Sequence, residues 1–419
     1  MIKTSDSLSE YLKNYSFQKN LDDFIQIAPK TKIEEVSING NLFTRYINEF
    51  WTAKQRQASS IHEISYRGCF KAQLPRFFIK LLTNKNDTIY DPFSGRGTTV
   101  LEAGLLGRKI ISNDINPLSE ILASPRFHIS TLIEIQNRLS QIAFDQNLKA
   151  DIELSMFYHP ETEAEIVSLR DYLIKQKMSG KEDYIDKWIR MIATNRLTGH
   201  SAGFFSVYTL PPNQALSQER QIKINQARNQ KPDYRNTKDI IVKKYESLIR
   251  KITEEEKENL RKVGDTALFL QKDARTTPEI RSGSIQLTVT SPPFLDVVQY
   301  SKDNWLRCWF NSINLEEVSQ RITMARTVEK WTAFMEDVFK ELFRVTQHGG
   351  WIAFEVGEVK KGTIKLEDYI VPLGLQAGFQ CEGVLINLQE FTKTSNIWGI
   401  NNNDYGTNTN RIVLFRREK

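Results

Sequence analysis

Asp91-Pro92-Phe93-Ser94-Gly95-Arg96-Gly97-Thr98-Thr99 is the stretch that decides the fold of this chain. It follows a short β-rich segment at residues 88–90 and leads into a helix-like segment at residues 98–106. A second apolar strand is expected at residues 109–112. A strand, a glycine turn, a helix and another strand, in this order, form a parallel α/β unit.

The glycine turn is a candidate site for a nucleoside-containing ligand. Gly95 and Gly97 remove side chains where the backbone must pass close to a ligand, and the following helix start offers free N–H groups. Asp114 ends the next strand, where a carboxylate can accept hydrogen bonds from both ribose hydroxyls. A lone Gly-x-Gly is also a common tight turn, and the placement of Asp114 is what favours the ligand interpretation.

A second candidate site, Thr290-Ser291-Pro292-Pro293-Phe294, follows the apolar strand expected at residues 285–289. Open α/β sheets place their sites at this end of a strand. The two prolines fix the backbone, so that the Ser291 hydroxyl and the Pro292 carbonyl can accept hydrogen bonds from an amino group. Phe294 supplies a flat face for a base to stack on. Pro-Pro is also common in turns, and an edge loop without chemistry is the alternative.

Composition sets the class of protein. The chain has 419 residues, 40% of them hydrophobic, which indicates a globular protein of two to three structural units. The formal charge of +6 agrees with a polyanionic partner but does not establish one. Three scattered cysteines and five unpaired histidines predict no disulfide framework and no metal site, and hence a reducing, cytoplasmic compartment. No stretch is long and apolar enough for a membrane span, so no membrane partner is expected.

A long helix-rich region interrupts the α/β pattern. The predicted units are a helical N-terminal cover at 1–60, a catalytic domain at 61–120 and 263–419, and a helical insertion at 121–262. Within the cover, residues 41–50 and 51–58 are patterned like short amphipathic helices.

Residues 210–235 of the insertion are rich in Pro, Asn, Gln and basic residues, and predict an irregular recognition loop. Its cations are candidate phosphate contacts: Arg220, Lys223, Arg228, Lys231 and Arg235. A solvated charged surface is the alternative for each of them.

The two candidate sites together resemble the paired signatures of the DNA amino-methyltransferases. The Ser-Pro-Pro-Phe form resembles the N4-cytosine branch, whereas N6-adenine enzymes more often carry Asp or Asn in place of Ser291. Residues 70–75 resemble the family segment that covers the methionine end of the cofactor, and Asp273-Ala274-Arg275 resembles the acidic turn beside its adenine. The matching segments span about residues 50–120 and 265–419.

The resemblance implies an α/β fold with a Rossmann-like class I methyltransferase sheet and a largely helical insertion. It also implies S-adenosyl-L-methionine as the cofactor. The residues that would hold it are Phe70, Lys71, Pro75, Asp91, Phe93, Gly95, Gly97, Thr98, Asp114, Asp273 and Ala274. The residues that would hold the target base are Ser291, Pro292, Pro293 and Phe294. Arg96 departs from the family, which usually has serine there, and the insertion leaves the location of the recognition region open.

The implied activity is site-specific methylation of the N4 of cytosine in double-stranded DNA, by direct transfer to a base rotated out of the duplex. A restriction-modification role would add a separate restriction endonuclease as a partner. Adenine N6 in DNA and guanine N2 in RNA are alternative acceptors. A catalytically inactive nucleic-acid-binding protein on the same scaffold is the alternative from another functional class. The sequence specifies neither the recognition site nor the oligomeric state.

Overall fold

The computed structural model describes the chain except for residues 1–3, 17, 22–23, 28–29, 53–57, 211–214, 294–302, 323–324, 326, 360–363, 389–408 and 419. The strands are β1 Gln18–Leu21, β2 Phe24–Ile27, β3 Lys32–Ile38, β4 Asn41–Asn48, β5 Thr88–Asp91, β6 Lys109–Asn113, β7 Leu268–Leu270, β8 Ile285–Thr290, β9 Thr346–Val356, β10 Glu358–Val359, β11 Ile364–Lys365, β12 Gln380–Leu388 and β13 Thr409–Arg416.

The helices are α1 Ser5–Lys13, α2 Gln73–Leu82, α3 Thr98–Leu105, α4 Leu118–Ala123, α5 Leu132–Gln141, α6 Pro160–Met178, α7 Tyr184–Arg196, α8 Gln218–Arg228, α9 Thr237–Ile249, α10 Glu254–Gly264, α11 Trp305–Phe310, α12 Leu315–Arg321, α13 Val328–Val345 and α14 Glu367–Ala377. Short 3-10 turns cover Ser60–His62 and Ser124–Phe127. Within the described residues, none of the helices combines the length and apolar character that a membrane span requires.

Nine strands form one sheet, in the order β3-β4-β12-β13-β9-β8-β5-β6-β7. The five strands from β9 to β7 are parallel, and their order is the 3-2-1-4-5 order of a doubly wound sheet. β13 lies antiparallel between β9 and β12. The predicted Rossmann-like class I sheet is therefore confirmed.

Side chains that alternate along the strands build a core on each face of the sheet. On β9, Trp351 and Ala353 join the core that packs against α2, α3 and α10. The intervening Ile352 and Phe354 join the core that packs against α13 and α14. Helices on both faces explain why the central strands read as continuous apolar runs.

The prediction of a helical cover at the N-terminus is wrong for residues 41–48, because they form β4. Asn39 and Gly40 both have positive φ, 49° and 82°, and so form the Asn-Gly turn that favours a two-residue hairpin. The hairpin of β3 and β4 extends the sheet beyond β12. The second helix expected there overlaps residues 53–57, which lie outside the described residues.

The insertion has a core of its own, centred on Trp188, Ile192 and Tyr245. Leu306 and Phe310 of α11 complete this core, although they follow β8 in the chain. The helix α10, which was assigned to the insertion, instead packs on α3 in the core of the sheet.

The loop predicted at residues 210–235 was also wrong in part, since α8 occupies its middle. Ser217 caps α8 by accepting a hydrogen bond from the Arg220 N–H, so the chain has a helix-start signal there.

Candidate functional site

The carboxyl ends of β5, β6 and β8 open into one pocket of about 890 Å³, part of it continuous with solvent. The predicted cofactor residues that line it are Phe70, Asp91, Phe93, Gly95, Thr98, Asp114, Asp273 and Ala274. From the second predicted motif, Ser291 and Pro293 also line it. The two motifs, about 200 residues apart, therefore meet in one cavity.

The Asp114 carboxylate stabilises the conformation of the glycine turn. Gly95 has φ +53°, and its N–H donates to Asp114 Oδ2 at 2.8 Å. The other carboxylate oxygen accepts from the Asn116 N–H at 2.9 Å. Burial raises the pKa of Asp114 to about 6. Asp114 thus orders the turn as well as facing the pocket, where its remaining lone pairs can accept ligand hydroxyls.

Gly97 is required for a reason other than ligand approach. Its φ is +80°, and a Cβ placed there would lie 2.7 Å from the Cβ of Ala123 at the end of α4. Gly97 does not line the pocket. The second glycine of the motif therefore permits close packing between two helices, whereas the sequence suggested a backbone exposed to the ligand.

Asp91 links the two motifs. Its Oδ1 accepts from the Thr290 hydroxyl at 2.7 Å and from the Phe93 N–H at 3.1 Å. Burial raises the pKa of Asp91 to about 7. Because Thr290 directly precedes Ser291, this bond sets the position of the second motif relative to the glycine turn.

Two other predicted cofactor residues, Lys71 and Pro75, do not line the pocket. Pro75 is buried in the first turn of α2. Burial lowers the pKa of the Lys71 ammonium, which lies close to the Arg96 cation. Both residues belong to the scaffold behind Phe70.

Further lining residues were not predicted from the sequence: Tyr66, Gly68, Cys69, Pro92, Ser94, Ile115, Asn116, Lys272, Arg321, Ile322 and Phe334. Several of these residues directly precede or follow a predicted site residue, so their position in the sequence could have identified them. Arg321 and Phe334 lie on α12 and α13, and no local motif marks them.

A buried carboxylate that the sequence did not indicate lies behind Ser291, outside the residues that line the pocket. Glu355 lies on β9, beside the end of β8, and is buried. The Asn410 amide donates a hydrogen bond to it, and the Ser291 side chain lies near it and lowers its pKa in part. Burial raises the pKa of Glu355 to about 7. The Pro293 carbonyl accepts from Trp331 Nε1 at 3.0 Å, which fixes the turn. Phe294 lies outside the described residues.

The predicted phosphate contacts differ in their surroundings. Arg220, Lys223, Arg228 and Lys231 are exposed on or just after α8. The Arg228 guanidinium lies over the Tyr208 ring, 3.8 Å from its centroid.

Arg235 is instead half-buried. It donates to the carbonyls of Ser201, Phe204 and Ser206, and to Asp233. These bonds stabilise the loop before α8, so the Arg235 guanidinium has a structural role.

The described residues fit S-adenosyl-L-methionine. Asp114 lines the pocket and could accept hydrogen bonds from ribose hydroxyls, and Asp273 and Ala274 line it just after the end of β7. Phe93, Ile322 and Phe334 supply apolar walls. The carboxyl groups of Asp91 and Asp114 suit a ligand with a sulfonium cation, whereas Asp273 is paired with Arg275 at 2.7 Å. Among the described residues, no group of three or more His, Cys, Asp or Glu side chains could hold a metal ion.

Part of the chain is similar in sequence to known DNA methylases. Residues 3–123 match the N6/N4 methyltransferase family, which is described as DNA methylase. The type II methyltransferase M.BsoBI of Geobacillus stearothermophilus is 37% identical over 110 residues, which cover 25% of this chain and 22% of that protein. The type II methyltransferase M.MjaII of Methanocaldococcus jannaschii is 35% identical over 72 residues, or 17% and 14% of the two chains. The chain thus matches less than a quarter of the length of these relatives.

Solved structures give weaker likenesses. A candidate DNA modification methylase from Thermus thermophilus is 21% identical over 35% of this chain and 51% of its own, with a TM-score of 0.23. A SAM-dependent methyltransferase from Methanosarcina mazei is 10% identical over 81% and 97%, with a TM-score of 0.31. Residues 3–123 are thus similar to the N6/N4 DNA methylase family, and both relatives carry the name of a DNA-modifying methyltransferase class.

Proposed function

We propose that this protein transfers a methyl group from S-adenosyl-L-methionine to the exocyclic N4 of cytosine in double-stranded DNA. The observation that carries the proposal is the single pocket into which both Asp114 and Ser291 open. One wall has the groups that a nucleoside cofactor needs, and the other has acceptors suited to an amino group. The target base would have to be rotated out of the duplex to reach this pocket.

The chemistry requires an amino nitrogen whose lone pair is freed from the ring. Bound S-adenosyl-L-methionine would supply the electrophilic methyl group. The Ser291 hydroxyl would donate its own proton to the nearby Glu355, which would leave its oxygen lone pairs available to accept from the target amino group. The Pro292 carbonyl would accept the second amino proton. Together they favour a pyramidal nitrogen whose lone pair points at the donor.

The methylated nitrogen must then lose a proton. Ser291 would take this proton while passing its own to the Glu355 carboxylate, which ends protonated and later releases the proton to solvent. Burial raises the pKa of Glu355 to about 7, close to the value that suits a general base at neutral pH. No covalent bond between enzyme and base is needed, and Cys308, which is buried in the insertion's neighbourhood, has no part in the reaction.

The basic surface of α8 would contact DNA phosphates through Arg220, Lys223, Arg228 and Lys231. The relatives are type II methyltransferases by name, which supports a restriction-modification role with a separate endonuclease as partner. A DNA substrate would place the protein in the cytoplasm, in agreement with its described cysteines being free thiols.

The test is incubation of the purified protein with isotopically labelled S-adenosyl-L-methionine and mixed-sequence duplex DNA, followed by nucleoside digestion and mass spectrometry. N4-methylcytosine is the expected product. N6-methyladenine would keep the family and the pocket but would overturn the interpretation of Ser291. If the cofactor binds and DNA is not modified, an RNA substrate containing guanine is tested next. Cofactor binding without turnover on either would identify an inactive scaffold.

A further inference from the structure

Arg96 places a long cationic side chain in the glycine turn, and it is not among the residues that line the pocket. It is buried, and its described partners are two backbone carbonyls and one hydroxyl. Nη1 donates to the carbonyls of His62 at 3.2 Å and Ile64 at 2.6 Å. Nε donates to the Thr98 hydroxyl at 3.2 Å. A buried guanidinium used in this way joins the turn to a distant piece of chain.

That piece of chain, residues 62–70, forms one wall of the pocket and is called the strap below. Tyr66, Gly68, Cys69 and Phe70 of the strap all line the pocket. Tyr66 and Cys69 pack on the bare face of Gly95, 3.5 and 3.7 Å from the position a Cβ would take there. The strap has no regular secondary structure after His62. Its shape therefore depends on bonds from its neighbours.

The neighbours hold the strap from two sides. The Ser65 carbonyl accepts from Asn195 of α7 at 3.0 Å and from Arg307 of α11 at 3.1 Å. Arg96 supplies the opposite anchor, from the glycine turn. Arg126 supports Arg96 in turn by donating to its carbonyl. Loss of the Arg96 side chain would remove its bonds to the His62 and Ile64 carbonyls. The strap would keep its bonds at Ser65, the 2.7 Å contact between His62 and Glu102, and the ion pair between Glu63 and Arg250.

We propose that Arg96 is a positioning residue that holds the strap in the shape required for cofactor binding. The inference depends on the proposed function to the extent that the pocket takes S-adenosyl-L-methionine. Without the Arg96 anchor, only a fraction of molecules would have the wall formed, and the apparent Kd rises as the inverse of that fraction. A competent fraction reduced to about one tenth gives an increase of about tenfold in Kd.

The experiment compares Arg96→Met and Arg96→Lys with the control Arg108→Met. Arg108 makes a similar clamp beyond the other end of α3, donating to Thr83 O at 3.0 Å, Thr83 Oγ1 at 3.2 Å and Leu106 O at 2.6 Å. It does not line the pocket. Isothermal titration calorimetry gives the Kd for S-adenosyl-L-methionine, thermal unfolding gives Tm, and amide hydrogen exchange reports on residues 62–70.

Arg96→Met is expected to raise the Kd about tenfold and to speed exchange in the strap, whereas Arg108→Met lowers Tm and leaves the Kd within about twofold. Arg96→Lys keeps the charge but has one ammonium for two carbonyls, so an intermediate Kd is expected. This variant decides the question if Arg96→Met does not fold. An unchanged Kd in the Arg96 variants, or an equal increase in the Arg108 control, would overturn the inference. Absence of binding by the wild-type protein would instead count against the proposed function.

Discussion

Replacement of Gly97 by alanine is expected to reduce the free energy of unfolding by about 2–5 kcal/mol. The φ of +80° alone costs a residue with a Cβ about 1–2 kcal/mol. The new Cβ would also lie 2.7 Å from the Ala123 Cβ, and overpacking of this kind costs about 1–3 kcal/mol.

Gly40→Ala is the matched control for the backbone contribution. Gly40 has nearly the same φ, +82°, and a Cβ there would have no neighbour within 4 Å. Its replacement should cost only the backbone contribution, about 1–2 kcal/mol. Urea unfolding followed by tryptophan fluorescence measures both variants.

A double-mutant cycle with Ala123→Gly isolates the clash. If the contact is the cause, Ala123→Gly should be less harmful in the Gly97→Ala background than in the wild type, with a coupling energy of about 1–3 kcal/mol. Equal costs for Gly97→Ala and Gly40→Ala, or no coupling to Ala123, would refute the packing argument. Normal stability of Gly97→Ala with weakened cofactor binding would instead favour a glycine required by ligand approach.

Further variants test the roles assigned in the pocket and on α8. Ser291→Ala should lower kcat about a hundredfold and leave the Kd for the cofactor within about twofold, whereas Asp114→Ala should raise that Kd about tenfold or more. Single-turnover kinetics measures the first effect and calorimetry the second. Equal loss of cofactor binding in both variants would contradict both roles. Wild-type kcat should fall as the pH drops below about 7, where Glu355 gains its proton, and Glu355→Gln should be slower and flat between pH 6 and 8; an unchanged pH profile would exclude Glu355 as the proton acceptor. The folded-state pKa of Glu355 lies above the ordinary value, so the folded state binds this proton more tightly and the free energy of unfolding falls as pH rises from about 4.5 to about 7. Urea unfolding at pH 5 and pH 8 should therefore show a smaller decrease in the free energy of unfolding for Glu355→Gln than for the wild type. Lys223→Ala should weaken DNA binding and reduce the slope of log K against log salt concentration by about 0.9, which fluorescence anisotropy at several salt concentrations measures. Arg235→Ala should instead lower Tm, which thermal unfolding measures. A normal Tm for Arg235→Ala would contradict its assigned role.

Local patterns in the sequence determined the elements that build the cofactor side. The strand, glycine turn, helix and strand from β5 to β6 were predicted to within one residue at each end, as was β8. Apolar periodicity and turn chemistry act over a few residues, and the sequence contains them in full. The Asn39-Gly40 signal for a hairpin was equally local, and an apparent helical period in β4 masked it.

Only the tertiary structure decided which distant groups meet. Glu355 reaches Ser291 because β9 pairs with β8, a choice that depends on sheet topology. Position 97 must be glycine because Ala123 packs against it, and Arg96 has a structural role because it donates to the strap. Both contacts form only when separate elements pack together. The sequence contains the identities of these groups, but their chemistry depends on burial and distance. Burial and distance arise only when the whole chain has folded.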